Sequence, residues 1–139
     1  MDTHQLLNYQ LDKVKGQLTK VTADLTEDQV DFRPVANMYT IRETLHHLSD
    51  TYVATQVLAA GGTPEFGTFK FEDASWSGHL AEAFSLRGAA IDSLMASKED
   101  SSLTTTSDYI LLHDAYHVGQ LATLRNALDP EWSSYSIYE

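Results

Sequence analysis

The sequence predicts an all-α protein built as a bundle of four long helices. Four segments carry apolar residues at helical spacing, and no segment shows the strict alternation of a half-buried strand. The connection at residues 61–73 is long enough to cross one end of such a bundle. Because 139 residues is the size of one domain, we expect a single domain over residues 1–139 that ends in a short tail at 130–139.

The first predicted helix carries an apolar residue at every third or fourth position. These residues are Leu7, Leu11, Val14, Leu18, Val21 and Leu25. They form a narrow stripe that other helices must cover. Next, Thr26 and Gln29 match a capping box, but Arg33-Pro34 limits the helix that begins there to about two turns.

A second capping box, at Thr40 and Glu43, predicts the start of the second long helix. We expect this helix over residues 40–60, because Gly61-Gly62 is a typical signal for a helix end. Residues 61–73 contain Gly and Phe without a helical period. They are therefore predicted to form a loop that packs across one end of the bundle.

The third long helix is predicted over Trp76–Met95. The polar stretch Ser97–Thr106 is then expected to connect it to the fourth. Ser107, with Asp108 in the first turn, is typical of a helix start, and Asp129-Pro130 is expected to end the fourth helix.

The charge of the chain argues against several classes of partner. Twenty Asp and Glu residues oppose nine Lys and Arg, which gives a formal net charge of −11, and no basic stripe is visible. Proteins bind nucleic acid and anionic membranes through Lys and Arg, so neither is an expected partner. The first residues lack the features of a signal peptide, and no run is apolar enough to span a membrane. We therefore expect a cytoplasmic protein.

The sequence contains no cysteine and six histidines. Disulfides, thiolate metal sites and a cysteine nucleophile are therefore excluded. Any bound metal must be held by nitrogen or oxygen ligands. Any thiol chemistry must use a thiol that arrives with a substrate.

Two histidines lie within the apolar stripe of the fourth helix. On a helical wheel, His113 and His117 share one arc with Ile110 and three leucines. A pair at i and i+4 places both rings on one side of a helix, which is suitable for binding one metal ion. The alternative is a pair of hydrogen-bonded core histidines that bind no metal.

A third ligand would come from the second helix, where His46 and His47 are adjacent. Adjacent residues point about 100° apart on a helix, so only one of these rings can face the pair. Both rings flank the main apolar face of this helix, and periodicity does not choose between them.

Two parts of the sequence resemble the signatures of the DinB/YfiT-like superfamily. The first comprises residues 28–34 (DQVDFRP) and 39–50 (YTIRETLHHLSD). The second, residues 113–121 (HDAYHVGQL), is similar to the H-E-x-x-H-x-G-Q motif of that family. Together with the order of the helices, the resemblance covers nearly the whole chain.

This resemblance implies a four-helix bundle with a crossover connection and a metal site made of three histidines. The ligands it implies are His47, rather than His46, together with His113 and His117. It also implies a divalent transition-metal cofactor, which nitrogen ligands alone do not identify among Ni, Zn, Co, Fe and Mn.

The sequence departs from the family pattern at Tyr39, Asp114 and Val118, where Trp, Glu and Arg are more common. The departure at Val118 affects the inference of a substrate more than the inference of metal binding. Asp50, Asp114 and Gln120 are candidates for a catalytic role or for orienting a ligand ring, because a metal-bound histidine usually donates its other N–H to an acceptor. Alternatively, the two carboxylates are solvated and Gln120 serves helix packing.

The resemblance further implies an enzyme that acts on a small molecule. Three histidine ligands leave open positions on a metal ion, which is typical of catalytic sites. Known members of the family include metal-dependent transferases and isomerases that use low-molecular-weight thiols, and proposed hydrolases. We therefore expect either a thiol-dependent S-transferase or a metal-dependent hydrolase.

The competing hypothesis is a non-enzymatic, dimeric binding module with a structural or vestigial metal site. The apolar stripe of the first helix and the phenylalanines of the long loop could form an interface as readily as an internal core. A homodimer is the expected oligomeric state.

Overall fold

The computed structural model describes all residues from 1 to 139 and contains helices and no strands, which confirms the all-α prediction. The helices are α1 (Thr3–Thr22), α2 (Glu27–Asp31), α3 (Ile41–Ala59), α4 (Trp76–Met95), α5 (Asp100–Thr106), a π-helical segment (Ser107–Leu112), α6 (His113–Leu128) and a C-terminal 3-10 helix (Ser134–Tyr138). None of them combines the length and the hydropathy that a membrane-spanning helix requires.

Both predicted capping boxes form, and they set the starts of α2 and α3. The Thr40 hydroxyl accepts a hydrogen bond from the Glu43 amide at 3.1 Å, and the Glu43 carboxylate accepts one from the Thr40 amide at 3.0 Å. Thr26 and Gln29 make the same reciprocal pair at α2. Helix α3 ends just before Gly61, whose φ of +80° is a left-handed conformation that favours glycine.

The connection predicted over Ser97–Thr106 is wrong, because α5 begins at Asp100 and the chain continues through the π-helical segment into α6. The Thr105 and Thr106 hydroxyls donate to backbone carbonyls one turn earlier, at 2.8 and 2.7 Å. These bonds satisfy the polar side chains within the helix, so the polar composition does not interrupt it. Ser107 consequently lies within this continuous helix and is not the N-cap of a new one.

Helices α3 and α4 run in the same direction. Arg42, near the start of α3, contacts His79, near the start of α4, with 2.9 Å between the guanidinium and the ring nitrogen. Further along both helices, Tyr52 and Arg87 reach the same carboxylate, that of Asp114. Parallel neighbours require a connection that returns along the bundle, so the segment between α3 and α4 is the crossover.

Helix α1 runs parallel to the continuous helix formed by α5, the π-helical segment and α6. Leu6, near the start of α1, shares a groove with Leu103 of α5, whereas Arg125 of α6 donates to the Val21 carbonyl near the end of α1, at 3.0 Å. The bundle is therefore up-down-down-up. The sequence pattern alone indicates antiparallel neighbours throughout, which is wrong for these two parallel pairs.

The apolar stripe of α1 is buried inside the chain. Its members Leu7, Leu11, Val14, Leu18 and Val21 are at most 8% exposed. They join one core to which all four long helices contribute. Burial of each such side chain contributes roughly 1.5–3 kcal/mol. The stripe thus serves the internal core and is not available as the interface that the binding-module hypothesis considered.

A buried ionic network connects the four long helices. The Arg87 Nε donates to one Asp114 carboxylate oxygen at 2.7 Å, and the Tyr52 hydroxyl donates to the other at 2.7 Å. A second guanidinium nitrogen donates to the Leu11 carbonyl of α1 at 3.0 Å. Asp114 is fully buried, and Arg87 is only 3% exposed. Each charge is therefore compensated where water cannot reach it.

Replacement of Arg87 tests this network. Arg87→Met leaves the Asp114 carboxylate buried without its counter-charge, so we expect the free energy of unfolding to fall by about 3–5 kcal/mol in urea titrations. Arg33→Met is the matched control, because the Arg33–Glu43 pair is about 40% exposed on both sides and its loss should cost no more than about 1 kcal/mol. Equal losses in the two variants would contradict the network's role.

Candidate metal centre

Three histidine rings converge at one point between α3 and α6. The Nε2 atom of His113 lies 3.0 Å from that of His47 and 3.1 Å from that of His117. The available ligand atoms of the three residues all lie within 4.8 Å of one another. The group could therefore hold one metal ion, as the sequence resemblance implied.

The helices bring these rings together for identifiable reasons. His113 and His117 are one turn apart on α6, and His47 enters from α3. His113 is the first residue after the π-helical segment, in which the helix widens over Ser107–Leu112. Such segments are rare and are frequent at functional sites. A helical wheel of constant period does not detect this change.

The structure separates the two adjacent histidines of α3. The ring of His46 turns away from the cluster, and its Nε2 lies 2.7 Å from the Phe69 carbonyl oxygen. It packs against the rings of Phe69 and Phe71 at centroid distances of 5.5 and 5.7 Å. His46 thus anchors the crossover loop, and His47 is the residue that joins the cluster.

The surroundings favour the neutral form of all three imidazoles. Burial lowers the pKa of His113 to about 4, and the neighbouring charges of His117 and His47 act in the same direction. Burial also lowers the pKa of His117 and of His47, although Asp50 acts in the opposite direction on His47. At neutral pH, each ring therefore retains a lone pair that can bind a metal ion.

The geometry and the donor set fit a divalent transition metal. Two imidazole nitrogens on one tetrahedral zinc ion lie about 3.4 Å apart, because each Zn–N bond is about 2.0–2.1 Å long. The observed separations of 3.0 and 3.1 Å need only a small expansion to reach this value. Each contact between two neutral rings also needs one nitrogen to supply the proton, whereas one cation would satisfy all three lone pairs.

The cluster forms part of the wall of a cavity of about 410 Å³. This volume lies within the range of small-molecule sites, about 300–1,000 Å³. The other lining residues are Asn37, Met38, Tyr39, Thr44, Tyr116, Gln120 and Leu124. A metal ion held by the histidines would therefore face a space that can hold a small ligand.

Comparison with known protein families agrees with this arrangement. The sequence model of the DinB superfamily matches residues 10–123, which is most of the chain and includes all three histidines of the cluster. The chain belongs to the DinB superfamily. No curated protein and no solved structure shows significant similarity to it.

The two acidic candidates of this DinB protein, Asp50 and Asp114, make their hydrogen bonds to groups outside the histidine cluster. Asp50 is buried, and its carboxylate accepts hydrogen bonds from the amides of Gly67 and Phe69 at 2.8 and 3.2 Å. Asp114 is bound to Arg87 and Tyr52, and burial raises its pKa to about 6 although both partners act in the opposite direction. Neither carboxylate is solvated as the alternative supposed, and neither makes a hydrogen bond to the histidine cluster.

The third candidate, Gln120, does line the cavity of this DinB protein. Its side-chain amide donates to the Tyr116 hydroxyl at 3.0 Å. The Nδ1 atoms of His113 and His117 are buried and make no hydrogen bond to the protein. The outer nitrogens of these two rings are thus held by packing rather than by a carboxylate acceptor.

Several lining residues were not identified from the sequence. Thr44 lies one turn before His47 on α3, so the i, i+3 spacing was a usable signal. Asn37, Met38 and Tyr39 lie in the irregular segment before α3, where no periodicity indicates a direction. The Tyr39 ring lies 5.6 Å from the His47 ring, so this segment forms one side of the cavity.

Acid should destabilise the metal-free protein through these rings. A histidine whose pKa is lowered by folding binds its proton first in the unfolded chain, so stability falls as pH decreases from about 6.5 toward 4. We expect His113→Gln to lose less free energy of unfolding than the wild type between pH 7 and pH 5, measured by urea titration with a chelator present.

Comparison of the two proteins isolates the contribution of His113, because Asp114 is present in both. The raised pKa of Asp114 acts with the opposite sign, as the folded state then takes up its proton first. Identical pH dependence in the wild type and His113→Gln would show that His113 is not a neutral buried ring.

Proposed function

We propose that this DinB protein is a metal-dependent enzyme that binds a divalent transition-metal ion through His47, His113 and His117. The observation that supports the proposal is the convergence of three neutral imidazole nitrogens on the wall of a cavity of ligand size. Three protein ligands leave room for a substrate at the ion, whereas structural sites are normally closed by a fourth ligand.

The chain's own residues would bind the ion and shape the space beside it. A divalent ion in this position supplies Lewis acidity, which stabilises the anionic form of a bound group such as a thiol. Met38 and Leu124 present apolar surface that limits water, and Gln120 and Tyr116 present polar groups that can orient a ligand.

Of the two expected reactions, we favour thiol-dependent S-transfer. A hydrolase needs a general base near the attacking water. The histidines would be used as metal ligands, and no Asp or Glu lines the cavity to serve as that base. Asp50 and Asp114 are both bound to other partners. A thiol only has to release its proton and be held against an electrophile. The chain has no cysteine, so that thiol would come from a cosubstrate.

Metal content tests the ligand assignment. We expect untagged protein, loaded with zinc and then desalted, to retain one ion per chain by elemental analysis. His47→Ala, His113→Ala and His117→Ala should each lose it, because each removes one of three ligands. His46→Ala is the matched control, since it removes the adjacent ring without touching the cluster, and it should retain the ion. Full retention by any of the first three variants would contradict the assignment.

Turnover tests the activity. Mixing zinc-loaded protein with 2-mercaptoethanol and 1-chloro-2,4-dinitrobenzene should accelerate thioether formation, in which a sulfur–carbon bond forms, chloride leaves and the thiol proton passes to solvent. The acceleration should disappear with a chelator and in His113→Ala but persist in His46→Ala. A rate that does not respond to the chelator would exclude a metal-dependent reaction with this electrophile.

A non-enzymatic, dimeric binding module is the second candidate, and one surface favours it. Tyr109, Leu112 and Tyr116 are 42%, 59% and 62% exposed and follow one another along the last long helix. Apolar side chains gathered in this way are typical of interaction sites. Analytical ultracentrifugation should then give a dimer that Leu112→Asp converts to a monomer. A monomeric wild type would exclude the dimeric module.

A further inference from the structure

The cavity beside the histidine cluster contains no charged side chain. Apart from the three histidines, which would hold the proposed ion, its lining consists of Asn37, Met38, Tyr39, Thr44, Tyr116, Gln120 and Leu124. Sites that bind carboxylates or phosphates normally supply Arg or Lys, because a buried anion without a counter-charge is costly. This lining supplies neither.

The arginines near the lining residues in the sequence are also occupied. Arg125, which follows Leu124, donates to the Val21 carbonyl at 3.0 Å. Arg33 pairs with Glu43, and Arg42 binds Asp31 at 2.8 Å. Arg87, in the core, is bound to Asp114. None of the nine Lys and Arg residues of the chain lines the cavity. The metal ion would therefore be the only positive charge that a ligand anion meets in this cavity.

The neighbouring surface is acidic. A second cavity, of about 220 Å³, shares Tyr39 and His47 with the first, and its lining includes the carboxylates of Glu43 and Asp50. Hydrogen bonds from Thr40 and Arg33 lower the pKa of Glu43 despite partial burial, so its carboxylate is ionised at neutral pH. Arg33 balances the charge of Glu43, whereas the Asp50 carboxylate is bound only by the Gly67 and Phe69 amides. With a formal net charge of −11 for the chain, the Asp50 carboxylate therefore opposes a second anion on a ligand.

The contacts that the cavity does offer suit an uncharged molecule. Met38 and Leu124 supply apolar surface, and Tyr116 is 62% exposed beside the His117 ring, at a centroid distance of 5.0 Å. Because the Tyr116 hydroxyl accepts a hydrogen bond from Gln120, its own proton remains available to donate to a ligand. A neutral amide, ether or carbonyl group can use that donor.

We propose that this cavity selects substrates that carry no charge beyond the group that contacts the metal ion, and that it discriminates against thiols or electrophiles bearing a further carboxylate or phosphate. Position 120 is suitable for testing this absence of charge, because Gln120 lines the cavity as a neutral polar group where a Lys would add a cation. The inference rests on the proposed function, since the ion anchors one end of the ligand.

Two probes of equal shape test the proposal. Both are benzohydroxamic acids, whose hydroxamate binds zinc, and they carry either a carboxamide or a carboxylate at the 4-position. Isothermal titration of the zinc-loaded protein at pH 7 should show the carboxamide binding about tenfold or more tightly, a difference of about 1.4 kcal/mol. Equal affinities, or tighter binding of the carboxylate, would overturn the proposal, and so would failure of both probes to bind.

Two variants of Gln120 make the test specific to this cavity. Gln120→Lys introduces a cation, so the preference for the carboxamide should shrink or reverse. Gln120→Met keeps a similar length without a charge, and the preference should persist. An unchanged preference in Gln120→Lys would show that this cavity does not select between the two probes, and it would contradict the proposal.

The zinc content of every sample separates failure of this proposal from failure of the proposed function. Protein that binds zinc but does not prefer the neutral probe would refute the substrate class and leave the proposed function standing. Protein that binds no zinc would refute the proposed function, and the selectivity that rests on it.

Discussion

The fully buried carboxylate of Asp114 is the constraint on which the remainder of the structure depends. An isolated carboxylate in such a place would be strongly destabilising, so the arrangement in which Arg87 and Tyr52 both reach it is favoured. That requirement fixes the relative positions of α3, α4 and α6, and the bond from Arg87 to the Leu11 carbonyl adds α1. One polar network therefore sets the register of a core that apolar packing alone would specify less sharply.

The candidate metal centre depends on this register. His113 directly precedes Asp114, so the network that holds Asp114 also holds the first turn of α6. Tyr52 lies five positions after His47 on α3, and its bond to Asp114 holds the two helices at the distance at which three imidazole nitrogens meet. The rings converge without a carboxylate of their own, in a setting that keeps them neutral. A cation is the partner that such a group of lone pairs favours.

Features with a local cause were predictable from the sequence. The capping box at Thr40 and the glycine at Gly61 act within a few residues, so they place α3 to within one residue of its observed bounds. The choice between His46 and His47 was not predictable from periodicity, because it depends on the Phe69 carbonyl in a distant loop. The helical state of the polar stretch before Ser107 was not predictable either. Its polar composition suggests an exposed connection, but the threonine hydroxyls there donate to backbone carbonyls of the preceding turn instead of to water.

Anomalous diffraction from crystals of the zinc-loaded protein, measured at the zinc edge, tests the central claim most directly. We predict one peak per chain, about 2.0–2.1 Å from the Nε2 atoms of His47, His113 and His117, with at least one position open toward the cavity. A peak at His46, a site closed by a fourth protein ligand, or no ordered zinc at the three rings would contradict the assignment.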